Sequence, residues 1–87
     1  MKAEIYSKKD CGYCVRAKQF LQNKNIPYHE FIISPGMGES TLLENQSYVT
    51  KDQLLQRYPN ARTVPQIWID DQHIGGYDNL VEWFKNK

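Results

Sequence analysis

The sequence predicts an α/β domain in which a mixed, four-stranded β-sheet is flanked by helices, in the order β-α-β-α-β-β-α. A helix-length segment separates the first two strand-like runs, so these strands are expected to pair in parallel. A tight turn at Asp70 and Asp71 separates the last two runs, which predicts an antiparallel hairpin. The 87 residues suit a single domain, residues 1–87, with one modest core.

The first half of the chain has the pattern of a strand, a helix and a second strand. Apolar and polar residues alternate over Ala3–Ser7, and Tyr28–Ile33 is the second strand-like run. Between them, Gly12–Lys24 has the apolar spacing of an amphipathic helix. Asn25 and Pro27 are typical of a helix end, so we expect the helix to stop there.

The second half has the pattern of a short helix, a hairpin and a final helix. Thr50 and Gln53 have the spacing of a capping box, which predicts a helix start. Ile67–Ile69 and Gln72–Ile74 are the predicted strands of the hairpin, and Tyr77–Lys87 has helical spacing.

Composition and charge exclude several classes of protein. The formal net charge of +1 gives no general attraction to nucleic acid or to an anionic membrane. No apolar run approaches the ~20 residues of a membrane-spanning helix, and residues 1–6 lack the apolar stretch of a signal peptide. We expect a cytoplasmic monomer that binds neither nucleic acid nor membranes.

The two cysteines, Cys11 and Cys14, are three residues apart at the predicted start of the first helix. Unpaired N–H groups and the helix dipole stabilise a negative charge there, so Cys11 is expected to react as a thiolate. Lys8 and Lys9 add positive potential, which Asp10 opposes. Because Cys14 lies one turn deeper on the same face, we predict that Cys11 attacks a disulfide and Cys14 resolves the intermediate.

Two other interpretations of this pair are weaker. A static Cys11–Cys14 disulfide would close a very small loop and stabilise the fold little. A structural zinc site needs four ligands, and the other candidates, Asp10, His29 and His73, lack the spacing of a zinc finger. A lone C-x-x-C between a strand and a helix therefore favours redox chemistry, and no metal site is predicted.

Two further segments contain turn-forming residues whose role the residues alone leave open. Pro65 is either an ordinary entry residue of the next strand or part of a cis-proline loop beside Cys11. Gly75 and Gly76 either form a tight turn or let an anion approach the N–H groups that open the last helix. Asp78 either complements the helix dipole or binds an ammonium group.

Together these segments resemble the glutaredoxin family over nearly the whole chain. The active-site pattern is similar at Lys8-x-x-Cys11-x-Tyr13-Cys14, the cis-proline segment at Thr63–Ile69, and the glutathione-binding turn at His73–Leu80. The resemblance implies a thioredoxin-like fold, glutathione as co-substrate and no tightly bound cofactor. Besides Cys11, it implies that the following residues contact glutathione: Lys8, Tyr13, Thr63, Val64, Pro65, Gly76, Tyr77 and Asp78.

The resemblance also implies how glutathione lies in this site. Val64, beside a cis-Pro65, would pair its backbone with the cysteinyl part, and Lys8 would face the glycyl carboxylate. Asp78 would lie near the ammonium of the γ-glutamyl end. The implied clients are glutathionylated and disulfide-bearing proteins, with ribonucleotide reductase as one suggested by the family.

The sequence departs from the family pattern at Gly12, where the familiar active site has proline. Glycine loosens the helix start, which leaves the reduction potential open. Some relatives with a small residue here hold a [2Fe–2S] cluster between two protomers and two glutathiones, a role we rank as minor for this chain. Basic or polar residues of the second helix often assist the glycyl carboxylate, and Gln53, Arg57 and Arg62 are the candidates here.

The middle of the chain, residues 34–50, is longer than in compact bacterial members of the family. Pro35, Gly36 and Gly38 predict a turn or loop, and Thr41–Leu43 fits either a helical turn or a short strand. Such a stretch either shapes the choice of partner or is a neutral surface insertion, and we favour the neutral interpretation.

Three rival functions differ from a glutathione-linked enzyme. The first is a redoxin recharged by thioredoxin reductase, which shares the fold and the dithiol but lacks glutathione contacts. The second is an iron–sulfur scaffold, and the third is a binding module that uses the sheet edge. Lys8 and the Gly75–Asp78 segment favour glutathione over the first rival.

Overall fold

The computed structural model describes residues 1–33 and 43–86, which form five strands and three helices. The strands are β1 (Ala3–Lys8), β2 (Tyr28–Ile33), β3 (Gln46–Val49), β4 (Gln66–Ile69) and β5 (Gln72–Gly75). The helices are α1 (Gly12–Asn23), α2 (Lys51–Arg57) and α3 (Tyr77–Lys85). None of these helices has both the length and the apolar character needed to cross a membrane.

The strands form one mixed sheet in the order β3-β2-β1-β4-β5. β2 is parallel to β1 and β3, whereas β4 is antiparallel to β1 and to β5. The predicted parallel pair and hairpin are confirmed, and Asp70 and Asp71 turn the hairpin with φ of +50° and +69°. Tyr6 pairs with Gln66, so the end of β1 and the start of β4 lie at the same end of the sheet.

The prediction of four strands was wrong, because β3 adds a fifth strand at the edge beside β2. All its residues are half-buried, so it lacks the alternation by which strands are recognised in a sequence. Polar contacts hold it instead: Gln46 Nε2 donates to Glu30 Oε1 at 2.9 Å, and Ser47 Oγ lies 2.8 Å from His29 Nε2. The turn predicted at residues 35–38, and positions 41 and 42, lie outside the described residues.

The two faces of the sheet carry separate clusters of buried side chains. α1 and α3 cover a mainly aliphatic cluster, composed of Ala3, Ile5, Ala17, Leu21, Ile26, Ile67, Ile69 and Leu80. α2 covers the other cluster, in which Tyr6, Leu54, Ala61 and Trp68 are buried. Helices thus flank the sheet, as predicted, and they lie on both of its faces.

Two helix ends form at the residues predicted from the sequence. Thr50 Oγ1 accepts the N–H of Gln53 at 3.2 Å, while Gln53 Oε1 accepts the N–H of Thr50 at 2.8 Å. This reciprocal pair is the predicted capping box at the start of α2. After α1, Asn25 has φ of +58°, the left-handed conformation that commonly closes a helix.

A buried carboxylate, Glu30 on β2, joins three strands to α1. Its side chain accepts hydrogen bonds from Ser7 Oγ at 2.6 Å, Lys18 Nζ at 2.9 Å and Gln46 Nε2 at 2.9 Å. Burial raises the pKa of Glu30, but these hydrogen bonds and the charge of Lys18 outweigh it and hold the pKa below its ordinary value. Glu30 therefore remains an anion inside the fold.

Candidate active site

Cys11 is the N-cap residue of α1, and its sulfur accepts the backbone N–H of Cys14 at 3.2 Å. An N-cap side chain normally supplies an oxygen for this bond, and here the sulfur takes that place. The bond and the positive end of the helix dipole both stabilise negative charge on the sulfur. Asp10, just before it, lies in a turn with φ of +60°. The predicted location of Cys11 at the strand–helix turn is confirmed.

Cys11 and Cys14 lie with their sulfur atoms at disulfide-bonding distance, and their Cα atoms are 5.2 Å apart, within the usual range for a disulfide. The predicted bridging geometry is therefore confirmed. Cys14 is 2% exposed, whereas Cys11 is partly exposed, so a disulfide in solution reaches Cys11 first. In the described part of the chain, no three His, Cys, Asp or Glu side chains are grouped to hold a metal.

The segment before β4 lies directly against the Cys11 sulfur. The Val64–Pro65 peptide bond is cis, which confirms the cis-proline interpretation. The Val64 carbonyl oxygen is 3.8 Å from Cys11 Sγ. Pro65 is buried and Thr63 is exposed, and the Val64 backbone between them lies beside the Cys11 sulfur.

The start of α3 also lies against the cis-proline segment. Gly76 is its N-cap, and a Cβ added there would be 3.6 Å from the Pro65 carbonyl oxygen. Glycine has no side chain that could cap the first turn of the helix. Gly76 therefore gives the N–H groups of Tyr77 and Asp78 no side-chain hydrogen bond. N–H groups at a helix start are suited to bind an anion. Both predicted interpretations, a turn and an anion site, are compatible with this geometry.

Asn79 is a further residue of this segment, and its role was not predicted from the sequence. Its Oδ1 accepts the N–H of Gly76 at 3.1 Å and so fixes the turn into α3. The signal was present, because the three-residue spacing between Gly76 and Asn79 is that of an N-cap and its N3 partner.

Aromatic and basic side chains form the rim of the site. Tyr13 is 57% exposed, and its ring centre lies 6.3 Å from that of Tyr77. The Arg16 guanidinium lies 5.5 Å from the centre of the Tyr13 ring, within the distance of a cation–π contact. Lys8 and Asp78 are exposed, at the end of β1 and in the first turn of α3.

Two of the three residues predicted to assist glutathione from the second helix already make other contacts within the fold. Arg57 pairs with Glu4 at 2.7 Å and lies 4.2 Å from the centre of the Trp68 ring. Gln53 accepts the N–H of Thr50 in the capping box. Arg62, the remaining candidate, is exposed but lies beyond the end of α2 at Arg57, so its placement on the second helix was wrong.

Gly75 is a position where an alanine substitution should be costly. Its φ is +120°, and an added Cβ would lie 2.7 Å from Asn79 Oδ1. We expect Gly75→Ala to lower the free energy of unfolding by about 1–3 kcal/mol, because L residues avoid this φ and Asn79 would be pushed from Gly76. Urea unfolding measures the loss. Gly12→Ala is the control, since its added Cβ would have no heavy atom within 4 Å apart from its chain neighbours and the nearby helix backbone; an equal loss in both variants would contradict the prediction.

The fold and the site together define a class of protein. A dithiol opens a helix after the first strand, and a cis-proline segment faces the more exposed sulfur. This is the arrangement of thiol–disulfide oxidoreductases with a thioredoxin-like fold.

Comparison with known proteins identifies the family within that class. The glutaredoxin family model matches residues 3–74. Glutaredoxin 3 of Escherichia coli K12 is 38% identical over 77 residues, which are 88% of this chain and 78% of that protein. The chain belongs to the glutaredoxin family. It is a thiol–disulfide oxidoreductase, and dependence on glutathione is typical of its family.

Solved structures agree with this assignment. The structure of reduced Escherichia coli glutaredoxin matches with a TM-score of 0.65 at 33% identity, covering 100% of this chain and 96% of that one. A buckwheat glutaredoxin–glutathione complex matches with a TM-score of 0.62 at 26% identity, covering 97% of this chain and 68% of that one. The predicted thioredoxin-like fold is confirmed.

Proposed function

We propose that this chain is a dithiol glutaredoxin that uses glutathione to reduce glutathione mixed disulfides and protein disulfides. The observation that supports it most directly is the position of Cys11, partly exposed at the start of α1 and 3.8 Å from the Val64 carbonyl oxygen. We place the protein in the cytoplasm, where reduced glutathione is abundant, as a monomer with one domain over residues 1–87. It needs no tightly bound cofactor, because glutathione supplies the electrons.

One branch of the reaction uses Cys11 alone. The Cys11 thiolate attacks the glutathione sulfur of a mixed disulfide, which forms a Cys11–glutathione disulfide and releases the client as a thiolate that takes up a proton. A second glutathione thiolate then attacks the bound glutathione sulfur. Oxidised glutathione leaves, and the Cys11 thiolate is restored.

The other branch uses both cysteines. Cys11 attacks one sulfur of a client disulfide and releases the other as a thiolate. Cys14 loses its proton and attacks the Cys11 sulfur, which frees the reduced client and leaves a Cys11–Cys14 disulfide. Two glutathione molecules reduce that disulfide and leave as oxidised glutathione. Clients are disulfide-bearing proteins, and ribonucleotide reductase is the one that the family resemblance suggests.

The proposed glutathione site surrounds the Cys11 sulfur. The Val64 backbone, beside Thr63 and Pro65, is expected to pair with the cysteinyl part, and Tyr13 to flank the sulfur. The buckwheat relative was solved as a complex with glutathione, which supports glutathione as the ligand of this chain.

The two ends of the tripeptide are expected to meet opposite charges. The γ-glutamyl carboxylate would accept N–H groups at the start of α3, next to Gly76 and Tyr77. Asp78 would pair with the γ-glutamyl ammonium, and Lys8 with the glycyl carboxylate.

The test is a coupled assay in which glutathione, glutathione reductase and NADPH reduce the mixed disulfide of glutathione and a cysteine-containing peptide. Asp78→Asn should raise KM for that disulfide about three- to tenfold, because it removes one charge-assisted contact at an exposed position. Asp71→Asn is the matched control: it removes the same charge at the hairpin turn, at the other end of β4 from Pro65.

The same assay separates the proposal from its nearest rival. Wild type should turn over rapidly with glutathione and slowly when thioredoxin reductase and NADPH replace glutathione and its reductase. Fast turnover with thioredoxin reductase alone would reject glutathione dependence. An equal rise in KM for both aspartate variants would reject the assignment of Asp78 to the ligand.

A further inference from the structure

Two polar residues behind the cis-proline segment form a hydrogen-bonded chain that the proposed reaction does not use directly. Gln66, the first residue of β4, is 7% exposed, and its Nε2 donates to the Thr63 carbonyl oxygen at 2.9 Å. Its Oε1 lies 2.9 Å from His73 Nε2 on β5. The two hydrogen bonds therefore connect β5, through β4, to Thr63, the residue that precedes Val64.

The donor and the acceptor of each hydrogen bond can be assigned from the Thr63 carbonyl at one end of this series. A carbonyl oxygen only accepts, so the Gln66 amide must present its NH₂ to Thr63 and its oxygen to His73. The His73 Nε2 atom therefore carries the hydrogen and donates it. Nε2 is a donor in the neutral ring of this tautomer and in the protonated ring, so the bond persists in both charge states.

His73 is itself held in place by aromatic neighbours. Its ring centre lies 4.1 Å from that of Tyr58 and 4.7 Å from that of Trp68. Burial, and then the charge of Arg57, lower the pKa of His73 below its ordinary value, so the ring is neutral near pH 7. The hydrogen-bonded series thus begins at the packed, uncharged ring of His73 and ends at the Thr63 carbonyl.

The Thr63 carbonyl and the Val64 N–H belong to one peptide unit. The hydrogen bonds of Gln66 and His73 therefore affect the direction of the Val64 N–H. The only cis bond in the described residues is Val64–Pro65, so the Thr63–Val64 unit is planar and trans. In such a unit the N–H points opposite to the carbonyl oxygen. Because buried Gln66 holds that oxygen, the Val64 N–H is directed away from Gln66.

We propose that Gln66 and His73 are positioning residues that aim the Val64 N–H at the cysteinyl part of the bound glutathione. The inference rests on the proposed function, in which the Val64 backbone pairs with the cysteinyl part of glutathione. Gln66 acts on the substrate through Thr63, and His73 acts through Gln66. Loss of either side chain should weaken substrate binding without changing the reactivity of the Cys11 sulfur.

The test compares KM and kcat for a glutathione–peptide mixed disulfide in Gln66→Met, His73→Phe and the double variant. Methionine keeps the length of glutamine without its amide, and phenylalanine keeps the ring stacking without the donor. We expect KM to rise about three- to tenfold in Gln66→Met, as for the loss of one hydrogen bond, and less in His73→Phe. Values of kcat should stay close to wild type. The double variant should match Gln66→Met, because the residues act in series.

Two controls separate positioning from a general loss of structure. His29→Phe removes the hydrogen bond of the other histidine, which contacts Ser47 at the β2–β3 edge, and it should leave KM unchanged. The alkylation rate of Cys11 by iodoacetamide should also stay unchanged in all variants, since this small reagent does not pair with Val64.

An unchanged KM in folded Gln66→Met would overturn the proposal, as would an equal rise in His29→Phe. If Gln66→Met does not fold, His73→Phe decides: a raised KM supports the proposal and an unchanged KM rejects it. Failure of wild type to reduce the mixed disulfide would instead reject the proposed function, so the two failures are distinguishable.

Discussion

Replacing Cys11 by serine should reduce the turnover of a glutathione mixed disulfide to the uncatalysed rate. The serine hydroxyl can still accept the N–H of Cys14 and cap α1, so the fold should survive. A hydroxyl does not replace a thiolate as the attacking group in disulfide exchange. The coupled assay with glutathione reductase and NADPH measures the loss.

Replacing Cys14 by serine should have a different effect. Cys14 is 2% exposed, and the branch that uses Cys11 alone does not require it. Cys14→Ser should therefore retain much of the turnover of glutathione mixed disulfides and lose the reduction of a protein disulfide, such as those of insulin. This asymmetry is the signature of one attacking and one resolving cysteine.

The outcome that contradicts the assignment is equally specific. Full activity of Cys11→Ser on a mixed disulfide would show that Cys11 is not the nucleophile. Equal loss of both activities in Cys14→Ser would show that Cys14 does more than resolve. Urea unfolding of both variants is the control, because each comparison requires a folded protein.

Replacing Glu30 by alanine should destabilise the protein by about 3–5 kcal/mol, the range for removing one partner of a buried ion pair. Glu30 is 4% exposed and accepts hydrogen bonds from Ser7, Lys18 and Gln46. Alanine would leave the 1%-exposed Ser7 hydroxyl without its acceptor. The Lys18 side chain is 25% exposed and can turn toward water, which places the expected loss at the lower end of the range. Urea unfolding at pH 7 measures it.

Glu30→Gln is the matched variant, because an amide keeps an acceptor while removing the charge. It should lose less stability than Glu30→Ala. A loss as small as that of an ordinary surface substitution in Glu30→Ala, within about 0.5 kcal/mol, would contradict the role of the carboxylate.

The same carboxylate predicts how stability depends on pH. The folded state holds the pKa of Glu30 below its ordinary value of 4.5, so the unfolded chain binds the proton more readily. The contribution of Glu30 to stability is therefore complete above pH 4.5 and is lost as the pH falls below that value toward the folded pKa. Glu30→Gln should show a shallower decline in melting temperature over this acid range.

The elements that the sequence predicts are those whose signals are local. The capping box at Thr50 and Gln53 and the strand Tyr28–Ile33 depend on neighbouring residues, and the structure confirms both. β3 depends on residues far apart in the chain, since Gln46 is held by Glu30 across the strand pair. The apolar periodicity of the sequence gives no signal for such a contact, so a fifth strand was not predicted.

In the active site, too, features with a local sequence signal were predicted and features that depend on distant contacts were not. The dithiol at the start of α1 could be predicted because the sequence places both cysteines on one helical turn. The contact of Arg16 with the Tyr13 ring is a matter of side-chain orientation, and the chain of Gln66 and His73 is a matter of how β4 and β5 align. Neither has a signal in spacing alone.

The separation of the core into two clusters gives each face of the sheet its own fluorophore. Trp68 is buried on the α2 face beneath the Arg57 guanidinium, whereas Trp83 packs against the cluster under α1 and α3, beside Phe84. The variants Trp68→Phe and Trp83→Phe would each leave one indole as the optical reporter of a single face. Coincident emission changes from the two variants during denaturation would show that both halves of the interior melt as one cooperative unit.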